Sequence, residues 1–395
     1  MTQASNQPLP LLGGLTVRQF LRDYWQQKPL LVRKAMPGFK SPISPEELAG
    51  LACDEEVVSR LVMERGGRTQ WELRRGPFTE EDFLELPETH WTLLVSDVEK
   101  QAPDMAGLIE PFRFVPDWRI DDLMISYAPE HGTVGPHVDD YDVFLLQGLG
   151  RRRWQISTQP VDPDNFLPDV ELRILDEFEA EQEWVLEPGD LLYLPPKVAH
   201  HGIALGPCMT YSIGFRAPLH SDMIGRYVDF LMEEADHELR YRDEGLAPQD
   251  NPGRIGADAL DRIKDLIRSS LATGDDLIES WFGRYITEPK PGYVAEPEDD
   301  PYTLAELRRH LKDGGQLERN PGSRFAYIDH GQDSVTLFVD GQEFALGPAL
   351  ATLARVLCRE RILDSRRLQA ALGGDDAWAL LLDLLNEGFL VIYEG

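Results

Sequence analysis

The chain has 395 residues, 42% hydrophobic and 27% charged, with a formal net charge of −30. That length accommodates two or three domains, and a surface so acidic repels nucleic-acid phosphate and membrane headgroups while attracting cationic partners. With no signal-peptide pattern near the first residue and no apolar run long enough to span a bilayer, the expectation is a soluble cytoplasmic protein that binds neither nucleic acid nor membrane.

From the N-terminus to about Arg216, helical patterns (Leu15 to Trp25, Pro45 to Ala52) accompany many short strands, which predicts an α+β jelly-roll cupin with helical decoration. On a strand from Asp122, side-chain alternation groups Asp122, Met124 and Ser126 on one face. Gly135-Pro136-His137-Val138-Asp139 follows, read as a strand that continues through Tyr141 to Leu146 and ends at Gly148-Leu149-Gly150. On such a strand His137 and Asp139 share a face while Asp140 points away.

Past the glycine turn, the same parity directs Arg152, Trp154 and Ile156 inward and Arg151, Arg153 and Gln155 outward. A buried, unpaired guanidinium is costly, so Arg152 needs an anion, either a protein carboxylate or the distal carboxylate of a co-substrate such as 2-oxoglutarate. Glu187-Pro188-Gly189-Asp190 reads as a turn, Leu191 to Leu194 as a short apolar strand, and Pro195-Pro196 as extended chain leading to His200 and His201. A His-x-Asp with one distant His is the facial ligand set of non-heme Fe(II) oxygenases, which leaves metal positions open for a co-substrate and dioxygen. Spacing alone does not choose between His200 and His201. A strand from Met209 groups Thr210 with Ser212. Cys53, Cys208 and Cys358 stand apart and suggest no disulfide framework or zinc knuckle.

Residues 218–292 read as helical, with Met223 to Glu238, Ile255 to Leu271 and Asp275 to Ile286 carrying apolar stripes suited to a two-fold interface. The Pro- and acid-rich stretch around Pro289 to Pro301 separates them from a small α/β unit, residues 293–395. There, Phe325 to Ile328, a hairpin over Val335 to Leu346 turning at Asp340-Gly341, three helices from Gly347 to Leu385 and a final strand Phe389 to Tyr393 resemble a winged helix. Ten Lys and Arg against fifteen Asp and Glu from Asp300 to Gly395 argue against a DNA reader.

The motifs Asp122-Leu-Met-Ile-Ser, Gly-Pro-His137-Val-Asp139-Asp-Tyr141-Asp-Val-Phe, Gln-Gly-Leu-Gly-Arg-Arg152-Arg-Trp, Pro-Pro-Lys-Val-Ala-His200 and Tyr-Ser212-Ile-Gly-Phe-Arg, with Tyr24-Trp25-Gln26-Gln27, resemble one family. They are similar to the JmjC-domain 2-oxoglutarate oxygenases, specifically bacterial ribosomal oxygenases that hydroxylate an arginine of large-subunit ribosomal protein L-sixteen. The resemblance implies a double-stranded β-helix (1–217), a helical dimerisation domain (218–292) and a winged-helix-like domain (293–395). It implies His137, Asp139 and His200 as Fe(II) ligands, with His200 preferred over His201. It also implies Arg152 and Ser126 toward 2-oxoglutarate, and Asp122, Met124, Tyr141 and Ser212 around the substrate arginine. Hydroxylation of His or Asn, demethylation of lysine, and a non-catalytic metal cupin regulator are the alternatives, and Asp122 favours arginine.

Overall fold

Capping boxes start the helices where the sequence offers them. Thr16 with Gln19, Ser44 with Glu47 and Thr79 with Asp82 each exchange side-chain and backbone hydrogen bonds, and these open α1 (Val17–Asp23), α2 (Pro45–Leu51) and α3 (Glu80–Leu84). Two short helices follow, α4 (Val98–Gln101) and α5 (Pro103–Ala106). The computed structural model describes residues 7–66, 70–233, 238–248, 251–272, 274–331 and 334–393, and it divides into two units, Met1–Ala217 and Pro218–Gly395.

Among the described residues, the first unit holds eleven strands: β1 (Leu30–Val32), β2 (Ser59–Glu64), β3 (Trp71–Arg75), β4 (Trp91–Val95), β5 (Ile120–Ala128), β6 (Val143–Leu149), β7 (Arg152–Ser157), β8 (Gln182–Leu186), β9 (Leu191–Leu194), β10 (Ala199–Ala204) and β11 (Cys208–Phe215). Eight form one antiparallel sheet in the order β1-β9-β6-β11-β5-β4-β2-β3, and three form a second, β10-β7-β8. The inner faces meet: Val143, Leu145, Leu192 and Leu194 of the large sheet cluster with Trp154, Ile156 and Leu186 of the small one. This is the expected jelly roll. The outer face of the large sheet, including Phe144, Tyr193, Tyr211 and Phe215, packs under the helices. Phe20 of α1 sits 5.0 Å from the Tyr193 ring and 5.6 Å from that of Phe144, so removing this wholly buried ring would cost ~3–5 kcal/mol.

One expectation needs correction. The strand read from His137 through Leu146 does not begin until Val143, and residues 138–142 belong to no strand. Gly135 takes φ +81°, and Pro136 has no N–H to give to a ladder, so the chain enters the motif as an irregular loop. Its β-pairing among the described residues is one isolated bridge, His137 to His200.

In the second unit, α6 (His220–Glu233), α7 (Ala257–Leu271) and α8 (Asp275–Thr287) match the predicted helices within a few residues. Residues 234–237, inside the first prediction, lie outside the described residues. The third helix joins the C-terminal domain: a Cβ at Gly283 would meet the Phe338 ring at 2.3 Å, so this glycine lets α8 lie directly on the sheet. The remainder comprises α9 (Leu304–Lys312), β12 (Gln316–Arg319), β13 (Phe325–Asp329), β14 (Val335–Val339), β15 (Gln342–Leu346), α10 (Pro348–Arg359), β16 (Ile362–Leu363), α11 (Ser365–Ala371), α12 (Asp375–Asn386) and β17 (Leu390–Tyr393). The β14–β15 hairpin turns where expected, with Asp340 at φ +47° and Gly341 at φ +80°. Helix α9 and strand β12 were not foreseen, although Thr303 and Glu306 form another capping box. Among the described residues, no helix is long and apolar enough to cross a membrane.

Candidate metal centre

The His137–His200 bridge builds the centre. The His137 amide donates to the His200 carbonyl at 3.0 Å and the return bond is 2.9 Å, which brings the imidazole centroids within 4.2 Å. The Asp139 carbonyl accepts from the Lys197 amide at 2.8 Å, which ties the loop to the segment before β10. Asp139 Oδ2 thereby lies 3.9 Å from His137 Nε2 and 3.6 Å from His200 Nε2. One ligand atom from each of the three residues falls within 4.8 Å of the others, close enough to share one ion.

The imidazoles are oriented for that role. His137 Nδ1 lies 3.0 Å from the Gly135 carbonyl and His200 Nδ1 lies 2.9 Å from that of Val198. A carbonyl only accepts, so each Nδ1 carries the hydrogen and each Nε2 presents a lone pair. Burial, with His137 adjacent, pushes His200 down to about 4, which keeps it neutral at physiological pH.

His201 faces the other way. It is paired with Gln155 on the outer side of β10, its ring 6.2 Å from Phe178, and it borders an outer cleft of about 480 Å³ with Glu64, Trp71 and Pro136. Asp140 likewise points outward, into an ion pair with Lys197.

Inside, Arg152 is 3% exposed, and its Nε and Nη2 are buried with no hydrogen-bond partner among the described residues. Among the described residues, no carboxylate forms an ion pair with it. An orphaned guanidinium edge in a barrel that also holds a metal-ligand set fits a bound carboxylate. Ser126 reaches the same interior from β5, where it pairs with Thr210. Met124 pairs with Ser212, and Asp122 with Gly214. Sheet register thus brings Asp122, Met124, Ser126, Thr210 and Ser212 to one inner face, as alternation predicted.

Three local features were not legible beforehand. Partial burial, with the Asp139 and Asp122 carboxylates nearby, holds the Tyr141 phenol above its ordinary range, so Tyr141 stays protonated. Asp142, fully buried, accepts from Tyr193 Oη at 2.6 Å and Gln26 Nε2 at 2.9 Å, with Arg119 at 3.6 Å. This network pins the loop's exit, and its partners are too far away in sequence for spacing to signal it. Behind Asp122, the buried Glu99 accepts the Leu123 amide at 2.9 Å. Burial pushes this carboxyl up to about 7, against the pull of Lys100 and with Asp122 and Asp97 adding to the rise.

Comparison with known proteins agrees with this geometry. The JmjC domain family matches residues 107–223, and a ROXA-like winged helix matches residues 263–391. The chain is 37% identical over 372 residues to the ribosomal protein uL16 3-hydroxylase of Escherichia coli, covering 94% of this chain and 96% of that one. It is 32% identical to a probable ribosomal oxygenase of Haemophilus influenzae, covering 98% and 93%. The structure of the ribosomal oxygenase YcfD from Escherichia coli in complex with cobalt and 2-oxoglutarate superposes with a TM-score of 0.82 at 35% identity, over 96% of this chain and 99% of that one. With the jelly roll, the ligand set and this similarity along nearly its whole length, the chain belongs to the JmjC-domain ribosomal oxygenases.

Proposed function

We propose that this protein is a 2-oxoglutarate- and Fe(II)-dependent hydroxylase acting on an arginine side chain of the large-subunit ribosomal protein uL16. It is a 2-oxoglutarate-dependent dioxygenase. His137, Asp139 and His200 would hold the iron, and Arg152 with Ser126 would hold the far carboxylate of 2-oxoglutarate. Iron, 2-oxoglutarate and dioxygen together supply the power to oxidise an unactivated C–H bond, and the protein contributes orientation and the exclusion of water.

The observation that carries the arginine assignment is the inner face beside the centre, where Asp122 and Ser212 flank Met124. A carboxylate and a hydroxyl suit a guanidinium, and Met124 with Tyr141 suit the alkyl stem of an amphipathic side chain. The relative in Escherichia coli is named for uL16, and a net charge of −30 favours encounter with a basic ribosomal protein over nucleic acid or anionic membrane. The same reading includes a cytoplasmic location and a homodimer. Ile224, Val228 and Met232 of α6 and Leu260, Ile263 and Ile267 of α7 are exposed, and apolar stripes of that kind suit a two-fold contact.

The test is direct. Purified protein with Fe(II), 2-oxoglutarate and oxygen should add one oxygen to an arginine of a uL16 loop peptide, detected by mass spectrometry, and a peptide with that arginine replaced by alanine should be inert. Asp122→Ala should weaken peptide turnover far more than 2-oxoglutarate binding. An unmodified peptide beside a methyl-lysine peptide that loses its methyl group would replace the arginine reading with demethylation.

A further inference from the structure

Arg152 is not the only inward donor without a partner. Trp154, two residues along β7 on the same face, is 5% exposed, and its indole Nε1 is buried with no hydrogen-bond partner among the described residues. A buried indole N–H ordinarily finds an acceptor, because leaving it unpaired costs the full desolvation of the group. The ring is held in place: it lies against Gly202 of β10, where a Cβ would meet Trp154 at 2.7 Å, so only glycine permits this close packing. It lies close both to a residue of the metal-ligand set and to Arg152. The Trp154 ring centroid is 5.9 Å from that of His200, and Arg152 Cζ is 5.8 Å from the same ring.

We propose that Trp154 Nε1–H donates to the carboxylate of 2-oxoglutarate that Arg152 holds, making Trp154 a co-substrate-binding residue as well as a packing residue. This rests on the co-substrate reading above. The chemistry is consistent with the fold: a carboxylate offers about four acceptor sites, more than one guanidinium edge can use, and in an apolar barrel each unused site is costly. The neighbours of Trp154 in the core, Leu186, Leu192 and Leu194, have no side-chain donor to offer.

Trp154→Phe keeps an aromatic ring over Gly202 and removes only the donor. Titration of 2-oxoglutarate and of succinate into the cobalt-loaded full-length protein, followed by calorimetry, reads the effect without turnover. Loss of a hydrogen bond to a charged group predicts about tenfold weaker binding or more for both ligands, since succinate retains the distal carboxylate. Cobalt affinity should be unchanged, and Trp184→Phe, which removes another indole from the same cluster, should bind both ligands like wild type. Undiminished binding by Trp154→Phe overturns the proposal. Weaker 2-oxoglutarate with unaltered succinate also overturns it, by assigning the N–H to the metal-proximal end. Wild-type protein that binds neither dicarboxylate would instead sink the co-substrate reading itself. A measurement that needs no variant follows the indole N–H signals of the eight tryptophans in zinc-loaded wild type. One should move on adding either ligand, and an unchanged spectrum would refute the contact.

Discussion

The two units leave opposite kinds of surface unsatisfied. Inside the first, Arg152 and Trp154 bury N–H groups that have no hydrogen-bond partner among the described residues. On the second, Ile224, Val228, Ile263 and Ile267 are apolar side chains without cover. The contrast separates two kinds of missing partner. A buried donor with no acceptor calls for a small polar ligand of fixed geometry, because water cannot reach it. An exposed apolar stripe calls for another large surface, because only a macromolecule removes that much area from water.

The strongest way to break this contrast is at the ligand set. His137→Ala, Asp139→Ala and His200→Ala should each reduce succinate formation from 2-oxoglutarate to background, while the outward-facing His201→Ala retains most of it. A dead His201→Ala with an active His200→Ala would reverse the inside and outside assignments. Next in size is Arg152→Ala. Truncating one partner of a buried charged pair costs ~2–5 kcal/mol, so the KM for 2-oxoglutarate should rise about thirtyfold to several thousandfold. An unchanged KM with reduced thermal stability would make Arg152 structural.

The outer surface is tested by assembly. Light scattering at micromolar concentration should give twice the chain mass of 44.8 kDa, and Ile263→Asp with Ile267→Asp should give monomers. A monodisperse wild-type monomer would remove the need for a protein cover on the apolar stripe.

Glu99 sharpens the comparison most finely, since it is buried and polar but already partnered. Its carboxyl is raised from 4.5 to about 7, so between those values the folded chain keeps a proton that the unfolded chain releases. Stability from this group therefore falls as pH rises through that window. Glu99→Gln removes the ionisation, and its melting temperature relative to wild type should climb from pH 4.5 to pH 7.5, by on the order of 2 kcal/mol in stability. Its 2-oxoglutarate affinity should not change. A relative stability flat with pH would show that Glu99 is already ionised in the folded protein.

Local chemistry made much of this legible in the sequence. Helical patterns marked α1 and α2, Asp340-Gly341 marked a hairpin, and period-two alternation turned Arg152 inward and grouped Ser126 with Asp122 and Met124, and Ser212 with Thr210. Alternation failed at His137, where the sequence pattern is strand-like but Gly135 and Pro136 prevent a ladder. The centre depends instead on one bridge to a residue far along the chain. Spacing by itself left His200 and His201 equivalent, and only pairing with β7 turns one inward and the other out. The Asp142 network and the Trp154–Gly202 contact were invisible for the same reason: each joins residues far apart in the chain, Asp142 of the loop to Tyr193 of β9 and to Gln26, and Trp154 of β7 to Gly202 of β10. Sequence determined which side of its own strand each side chain occupies. Tertiary structure decided which strands face each other, and so which groups meet a ligand rather than a partner, because burial and pairing depend on the other sheet.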